Sequence, residues 1–184
     1  MKLWLGWLVV MAVACTDGSH SPPTTTATEQ TATEQATKQS AGDAMGIATN
    51  AVVIGVVDGD TIDVSFDGDK QRVRLIGIDT PETRKPNTPI QCFGPEASNF
   101  TKHLLAKGTK VLISRDSEAR DDYGRLLGYA YRSDDGLFVN LEIVQQGYAR
   151  LLTIAPNDAF ADDFVRAARN AEGADRGLWA ACSG

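Results

Sequence analysis

The feature that most constrains the fold is a series of short β-strand patterns joined by tight turns between residues 51 and 78. The β-branched run from Val52 to Val57 indicates a first strand, and alternating apolar and polar residues from Thr61 to Phe66 indicate a second. Asp67-Gly68-Asp69 is a hairpin signal, and a third strand follows from Arg72 to Ile78. Because the connections are so short, the three strands are predicted to form an antiparallel meander.

The rest of this region alternates helix and strand patterns. A helix is predicted from Pro95 to about Lys107, because proline suits the first helical turn and Gly108 stops the pattern. Two more strands are expected over residues 110–114 and 126–131, and two more helices begin at caps formed by Asn140 and by Asp158 or Asn157. The sequence therefore predicts an α+β fold, a five-stranded OB-type β-barrel with about three helices.

The first 46 residues have a different composition. Residues 1–14 have a positive start, an apolar run and small residues before Cys15, which is typical of a signal peptide too short to span a membrane. Lipid attached to Cys15 would anchor the mature chain at the cell envelope, and plain secretion is the alternative. Residues 15–46, rich in Thr, Ala and Gln, have almost no apolar side chains to bury, so a disordered tether is expected before the domain at 47–184.

Two further cysteines, Cys92 and Cys182, lie in the predicted domain. Disulfides persist in exported proteins, so a bridge between the pair is expected, with two free thiols as the alternative. Such a bridge would contribute about 4 kcal/mol at the upper end of the chain-entropy estimate, because the loop that it closes is long.

Acidic residues at strand ends give the sequence its chemical character. Carboxylates, backbone carbonyls and water form the hard-oxygen sites that Ca²⁺ prefers. The chain has only two histidines and three cysteines, which are far apart, and this argues against zinc chemistry. The net charge of −6 argues against a broad basic surface that holds nucleic acid, although a local basic pocket with a bound cation is compatible with it.

Four short motifs resemble those of the staphylococcal nuclease family in their order and spacing. They are Asp58-Gly59-Asp60-Thr61, Arg74 to Thr83, Gly94-Pro95-Glu96-Ala97 and Asp122-Tyr123-Gly124-Arg125. Each motif alone is weak, because Asp-Gly-Asp commonly serves as turn chemistry. The specificity lies in their joint order, which extends over essentially everything after the tether.

The resemblance implies a calcium-dependent nuclease that hydrolyses DNA and RNA at the 5′-oxygen side and leaves 3′-phosphates. Asp60 and Asp79, with the backbone carbonyl of Thr80, would hold calcium. Glu82 would activate or position water. The remaining roles would fall to Arg74 and Arg125 as the phosphate clamp, Tyr123 as a contact to a terminal phosphate, and Asp121 as support for the loop or for metal-bound waters.

The sequence departs from the family pattern at positions that would contact the nucleotide. Asp122 replaces a phosphate-binding lysine, and residues 151–156 are aliphatic or polar where stacking tyrosines are expected. Because stacking contributes about 1–3 kcal/mol per base, nucleotide binding is predicted to be weaker than in the type member of the family. Arg84, Lys85 and Arg120 are expected either to form a basic rim or to be ordinary surface charges.

Two other functions remain open from the sequence. One is a non-catalytic OB-type module that binds nucleic acid or another ligand at the cell surface. The other is an envelope lipoprotein in which calcium only stabilises the acidic turns. The presence of Arg74, Glu82 and Arg125 together favours the enzyme, and a monomer is expected.

Overall fold

The computed structural model describes residues 48–84 and 88–182. The predicted signal peptide, the proposed lipid site at Cys15 and the tether lie outside the described residues, as does Lys85. Within the described part, no helix combines the length and apolar character needed to cross a membrane.

Five strands close into the predicted barrel, in the order β1-β2-β3-β6-β5 with β1 and β5 paired. All barrel pairs are antiparallel except the parallel pair of β3 and β6. The barrel strands are β1 (Ala51–Asp58), β2 (Thr61–Phe66), β3 (Asp69–Leu75), β5 (Lys110–Ser114) and β6 (Leu126–Arg132). The remaining elements are β4 (Gly77–Asp79), β7 (Arg150–Leu152), α1 (Gly94–Leu104), α2 (Val139–Gln145), α3 (Ala161–Gly173) and α4 (Leu178–Ala181).

The core lies inside the barrel and under the helices. Side chains alternate along a strand, so Ile62 and Val64 on β2 and Val73 and Leu75 on β3 all point inward and are buried. Burying a branched apolar side chain of this size contributes about 1.5–3 kcal/mol. This inward set fixes the register, and the residues between its members are left on the outer face.

The predicted third strand is in fact two strands. β3 ends at Leu75, and β4 begins at Gly77, whose φ of 84° turns the chain. A Cβ atom at this position would clash with the ring of Phe164 in α3, so only glycine fits. β4 leaves the barrel and pairs with β7, which the sequence analysis did not predict.

Two predicted helix caps were wrong. Phe138 and Phe160 precede α2 and α3 at the N-cap positions. Asn140 lies inside α2 and is buried, with its amide bonded to Ala130 N, Ile76 O and Gly128 O. This asparagine therefore satisfies backbone groups of the barrel rather than those of its own helix.

The predicted disulfide is present between Cys92 and Cys182, whose Cα atoms are 6.0 Å apart. It joins the segment just before α1 to the residue that follows α4. The C-terminal end of the described chain is thereby fixed covalently beside the start of α1.

Candidate functional site

The turn between β1 and β2 carries the first carboxylates of the site. Gly59 has no room for a side chain, because a Cβ atom there would lie 2.6 Å from Thr80 Oγ1. This close approach brings the turn against the end of β4. The buried carboxylate of Asp60 accepts hydrogen bonds from Thr80 N at 3.0 Å and from Thr61 Oγ1 at 2.9 Å.

Arg74 is the centre of the arrangement. Its Nη1 donates to the carbonyls of Leu75 and Ile78, both at 2.8 Å. Its Nη2 lies 3.1 Å from Asp60 Oδ2 and 3.2 Å from Asp79 Oδ1, so one nitrogen links the two carboxylates. The Arg74 side chain is only 12% exposed, and three hydrogen bonds and the ion pair with Asp60 fix its position.

Asp60 and Asp79 are the two predicted carboxylate ligands of calcium, and the structure brings them together. Burial and the negative charge of Asp60 raise the pKa of Asp79, against the lowering effect of Arg74. Residues 48–84 and 88–182 contain no group of three or more acidic, histidine or cysteine side chains placed as a metal site. Two carboxylates nonetheless converge on a position where a cation, Arg74 Nη2, already lies, and such oxygen donors fit a hard cation.

Glu82 lies in the loop after β4 and is held by main-chain groups. Its Oε1 accepts from Thr83 N at 2.9 Å and from Arg84 N at 2.7 Å. Its backbone is paired with Gln91, whose side chain accepts from Glu82 N and whose N–H donates to Glu82 O. These hydrogen bonds orient the Glu82 carboxylate, although the residue is only partly buried.

Asp58 is a further site carboxylate that the sequence analysis left without a role. Its Oδ1 accepts from Thr83 Oγ1 at 2.7 Å and from Gly59 N at 2.9 Å. Burial raises the pKa of Asp58, and a hydrogen bond with Glu82 acts in the same direction. Asp58 therefore connects the β1–β2 turn to the Glu82 loop; the Asp-Gly-Asp motif was its signal, whereas nothing in the sequence indicated Gln91.

The loop of residues 121–125 carries the second arginine. Asp121 accepts from Tyr123 N at 3.0 Å and from Arg125 N at 2.9 Å, and its other oxygen accepts from Arg125 Nε at 2.6 Å. These hydrogen bonds tie Asp121 to the backbone and to the second arginine of the 121–125 loop. The Arg125 guanidinium also lies 5.4 Å from the centre of the Tyr123 ring.

Arg74 and Arg125 line one cavity of about 330 Å³. We call the group of Asp58, Asp60, Arg74, Asp79 and Glu82 the carboxylate side. We call residues 121–125 with Leu152 and Ile154 the loop side. On the loop side, 85% of the Tyr123 surface, 40% of Leu152 and 62% of Ile154 are exposed, so apolar groups are available to a ligand.

Of the three residues considered for a basic rim, Arg120 has a structural role. It donates to Gly124 O at 2.6 Å and to Gln71 Oε1 at 3.1 Å, so it ties the 121–125 loop to β3. Arg84 contributes its N–H to Glu82.

Comparison of the sequence with known proteins finds matches over most of the described residues. The family model described as "Staphylococcal nuclease homologue" matches residues 72–181. Thermonuclease from Staphylococcus intermedius is 41% identical over 142 residues, which cover 77% of this chain and 82% of that protein. Thermonuclease from Staphylococcus hyicus is 41% identical over 127 residues, or 69% of this chain and 73% of that protein. Endonuclease YncB from Bacillus subtilis (strain 168) is 37% identical over 131 residues, or 71% of this chain and 61% of the relative.

Proposed function

The chain belongs to the family of staphylococcal nuclease homologues, and we propose that it is a calcium-dependent nuclease that cleaves DNA and RNA at the 5′-oxygen side, leaving 3′-phosphates. The nuclease function is supported by relatives named thermonuclease and endonuclease. The observation that carries the proposal is that two guanidinium groups, Arg74 and Arg125, line one cavity. Forked guanidinium donors match phosphate oxygens, whose charge grows in the transition state.

Calcium would be held by the carboxylates of Asp60 and Asp79 and by the backbone carbonyl of Thr80. When bound, it would supply positive charge beside the phosphate and polarise the phosphoryl oxygens. The two carboxylates are already oriented, since Asp60 is bonded to Thr80 N and both contact Arg74. The ligands would therefore need little reorganisation.

Arg74 binds the substrate by exchanging one acceptor for another. Its Nη2 now donates to Asp79 and forms an ion pair with Asp60, and Asp79 is the more exposed of the two carboxylates. A phosphate oxygen is an acceptor of the same charge, so Arg74 can exchange Asp79 for phosphate without losing a charge-assisted hydrogen bond. Arg125 approaches the same phosphate from the loop side, where Asp121 fixes the direction of its guanidinium.

Glu82 acts on the attacking water. Two N–H donors hold Oε1, and the hydrogen bond with Asp58 adds a further restraint. The carboxylate is thus preorganised to orient the water or to take its proton as the P–O bond forms. Tyr123, which is exposed at the rim, contacts a terminal phosphate of the nucleotide.

The proposal is tested by incubating the protein with single-stranded DNA or RNA and calcium, with a chelator control and the variants Glu82→Gln and Arg125→Ala. Cleavage that chelator and either substitution abolish supports the enzyme and its site together. Tight binding without cleavage would instead identify a nucleic-acid-binding module. Calcium-dependent melting with neither binding nor cleavage would identify a structural envelope protein.

We also propose that the protein is exported and anchored through lipid on Cys15, and that it is a monomer. The disulfide between Cys92 and Cys182 supports an oxidising compartment. Labelling of cells with a fatty-acid analogue should mark the protein, and Cys15→Ser should abolish the label. An unlabelled protein in the culture medium would support plain secretion, and light scattering would measure the oligomeric state.

A further inference from the structure

The outer face of β3 carries a row of three cationic side chains, of which the proposed reaction uses only Arg74. Lys70, Arg72 and Arg74 alternate with Gln71, Val73 and Leu75, and the latter two are buried in the barrel. The three cations therefore lie on one face, about 7 Å apart along the strand. Arg74 contacts the site carboxylates, so Arg72 and Lys70 continue the row away from the site.

A groove lies beside the outer half of this row. β6 pairs with β3 only from Val73 to Leu75, and residues 69–72 pair with β2 alone. Lys70 and Arg72 line a groove together with residues of the 121–125 loop. The groove has a volume of about 630 Å³ and is lined by Asp63, Lys70, Arg72, Tyr123, Gly124 and Arg125. Tyr123 and Arg125 line the catalytic cavity as well, so the two spaces adjoin.

The charge of the groove is positive, although the whole chain carries −6. Its only carboxylate, Asp63, accepts from Arg72 Nε at 2.8 Å and from Lys70 Nζ at 2.8 Å. One cation suffices to neutralise one carboxylate, and the side chains of Lys70 and Arg72 are 59% and 49% exposed. The pair therefore presents surplus positive charge to solvent, with the exposed Tyr123 ring at the opposite wall.

We propose that this groove binds the sugar–phosphate backbone of the substrate strand beyond the phosphate that Arg74 and Arg125 hold. The partner is a single polynucleotide strand, because successive cations follow its phosphates and an exposed tyrosine ring offers a stacking surface to its bases. This inference rests on the proposed nuclease function. It adds that the enzyme distinguishes a long strand from a dinucleotide.

The experiment compares hydrolysis of a dinucleotide with that of a twelve-residue oligonucleotide in the full chain. The main variant combines Lys70→Gln and Arg72→Gln with Asp63→Asn, so that no buried carboxylate is left without a partner. Lys107→Gln is the matched control, because it changes the net charge by the same single unit and lines neither space. The expected result is a rise in KM of about tenfold for the oligonucleotide only, with kcat retained. The slope of log KM against log salt should also fall by about 0.7, because the variant removes one net positive charge.

An equal rise in KM for both substrates, or no rise for either, would overturn the proposal that the groove binds the strand. If the triple variant does not fold, Lys70→Gln decides the question, since Arg72 still neutralises Asp63 in that variant. Binding of a fluorescent twelve-residue oligonucleotide to Glu82→Gln separates this inference from the proposed function. Loss of binding with the groove substitutions supports the groove even without any hydrolysis, and unchanged binding refutes it even in an active nuclease.

Discussion

The carboxylate side and the loop side of the candidate site differ in their exposure, and Arg74 is the member of the carboxylate side that lines a cavity with the loop side. On the carboxylate side, Asp60 is buried, the Arg74 side chain is only 12% exposed, and each makes several hydrogen bonds to side chains and to the backbone. On the loop side, Tyr123, Leu152 and Ile154 present exposed surface. The difference indicates that substitutions on the exposed loop side would disturb the fold less than substitutions on the carboxylate side, so the proposed nucleotide affinity is the property that surface changes can tune.

The largest expected effect is on the carboxylate side. Glu82→Gln keeps the size of the side chain but removes the carboxylate, so kcat should fall by about 10²- to 10⁴-fold. Binding of a nucleotide on the loop side should stay within about twofold in KM. Steady-state kinetics on a short substrate measure both quantities. A large rise in KM with an unchanged kcat would mean that the two sides are not separable.

The second effect concerns the disulfide behind the Glu82 loop. Replacing Cys92 and Cys182 by serine should lower the free energy of unfolding by up to about 4 kcal/mol, and the melting temperature by about 10 °C. Because Gln91 is bonded to Glu82 and precedes Cys92, kcat should fall more than nucleotide affinity. Thermal melting and kinetics below the transition test this. An unchanged melting temperature would show that the bridge adds no stability.

The third effect belongs to the loop side. Leu152→Tyr with Ile154→Tyr should strengthen nucleotide binding by about 1 kcal/mol, or about fivefold, because an aromatic ring then stacks on a base. Calorimetric titration with a nucleotide measures the change. Val52→Tyr is the matched control, since Val52 is as exposed as Leu152 and lies on β1. A gain of the same size in that control would show that the effect is not local.

The smallest expected effect is on the free energy of unfolding, at an ion pair that belongs to neither the carboxylate side nor the loop side. It shows how much a substitution away from the site costs. Bonding to Arg132 lowers the pKa of Asp135 to about 2 from the ordinary 3.8. A depressed pKa stabilises the fold above pH 3.8, and this contribution is lost as pH falls toward 2. Since the pair is exposed, Asp135→Asn should cost only about 0.5 kcal/mol at pH 7, measured by denaturant unfolding. Asp134→Asn is the control, and an equal loss there would contradict a specific pair.

Much of the barrel could be predicted because its strands carry strong local signals. The alternation of Thr61 to Phe66 and the β-branched start of β1 dictate strands whatever the surroundings. β4 and β7 have three residues each, too few for a periodic pattern, and only their mutual pairing makes them strands. The residue type of Asn140 favours a helix cap, which is what the sequence predicts. In the structure its amide instead bonds to Ala130 N and Ile76 O of the barrel region, a contact that no local pattern indicates.

The site was predictable where chemistry and spacing coincide. Asp60 lies in the β1–β2 turn, Arg74 near the end of β3 and Asp79 at the end of β4, and Arg74 forms ion pairs with both carboxylates. The contact between Gln91 and Glu82 depends on the path of an irregular loop, which no local pattern encodes. The groove beside Lys70 and Arg72 exists because β6 pairs with only the last three residues of β3, Val73 to Leu75, a property of the assembled sheet.

The position of the disulfide has a consequence for the order in which the enzyme matures. Cys182 is separated from Cys92 by 90 residues and follows α4, so the bridge cannot close until nearly the whole domain has been synthesised. The segment that fixes Glu82 is therefore locked last, after the barrel can already have formed. Reducing conditions would leave that segment without the covalent bridge.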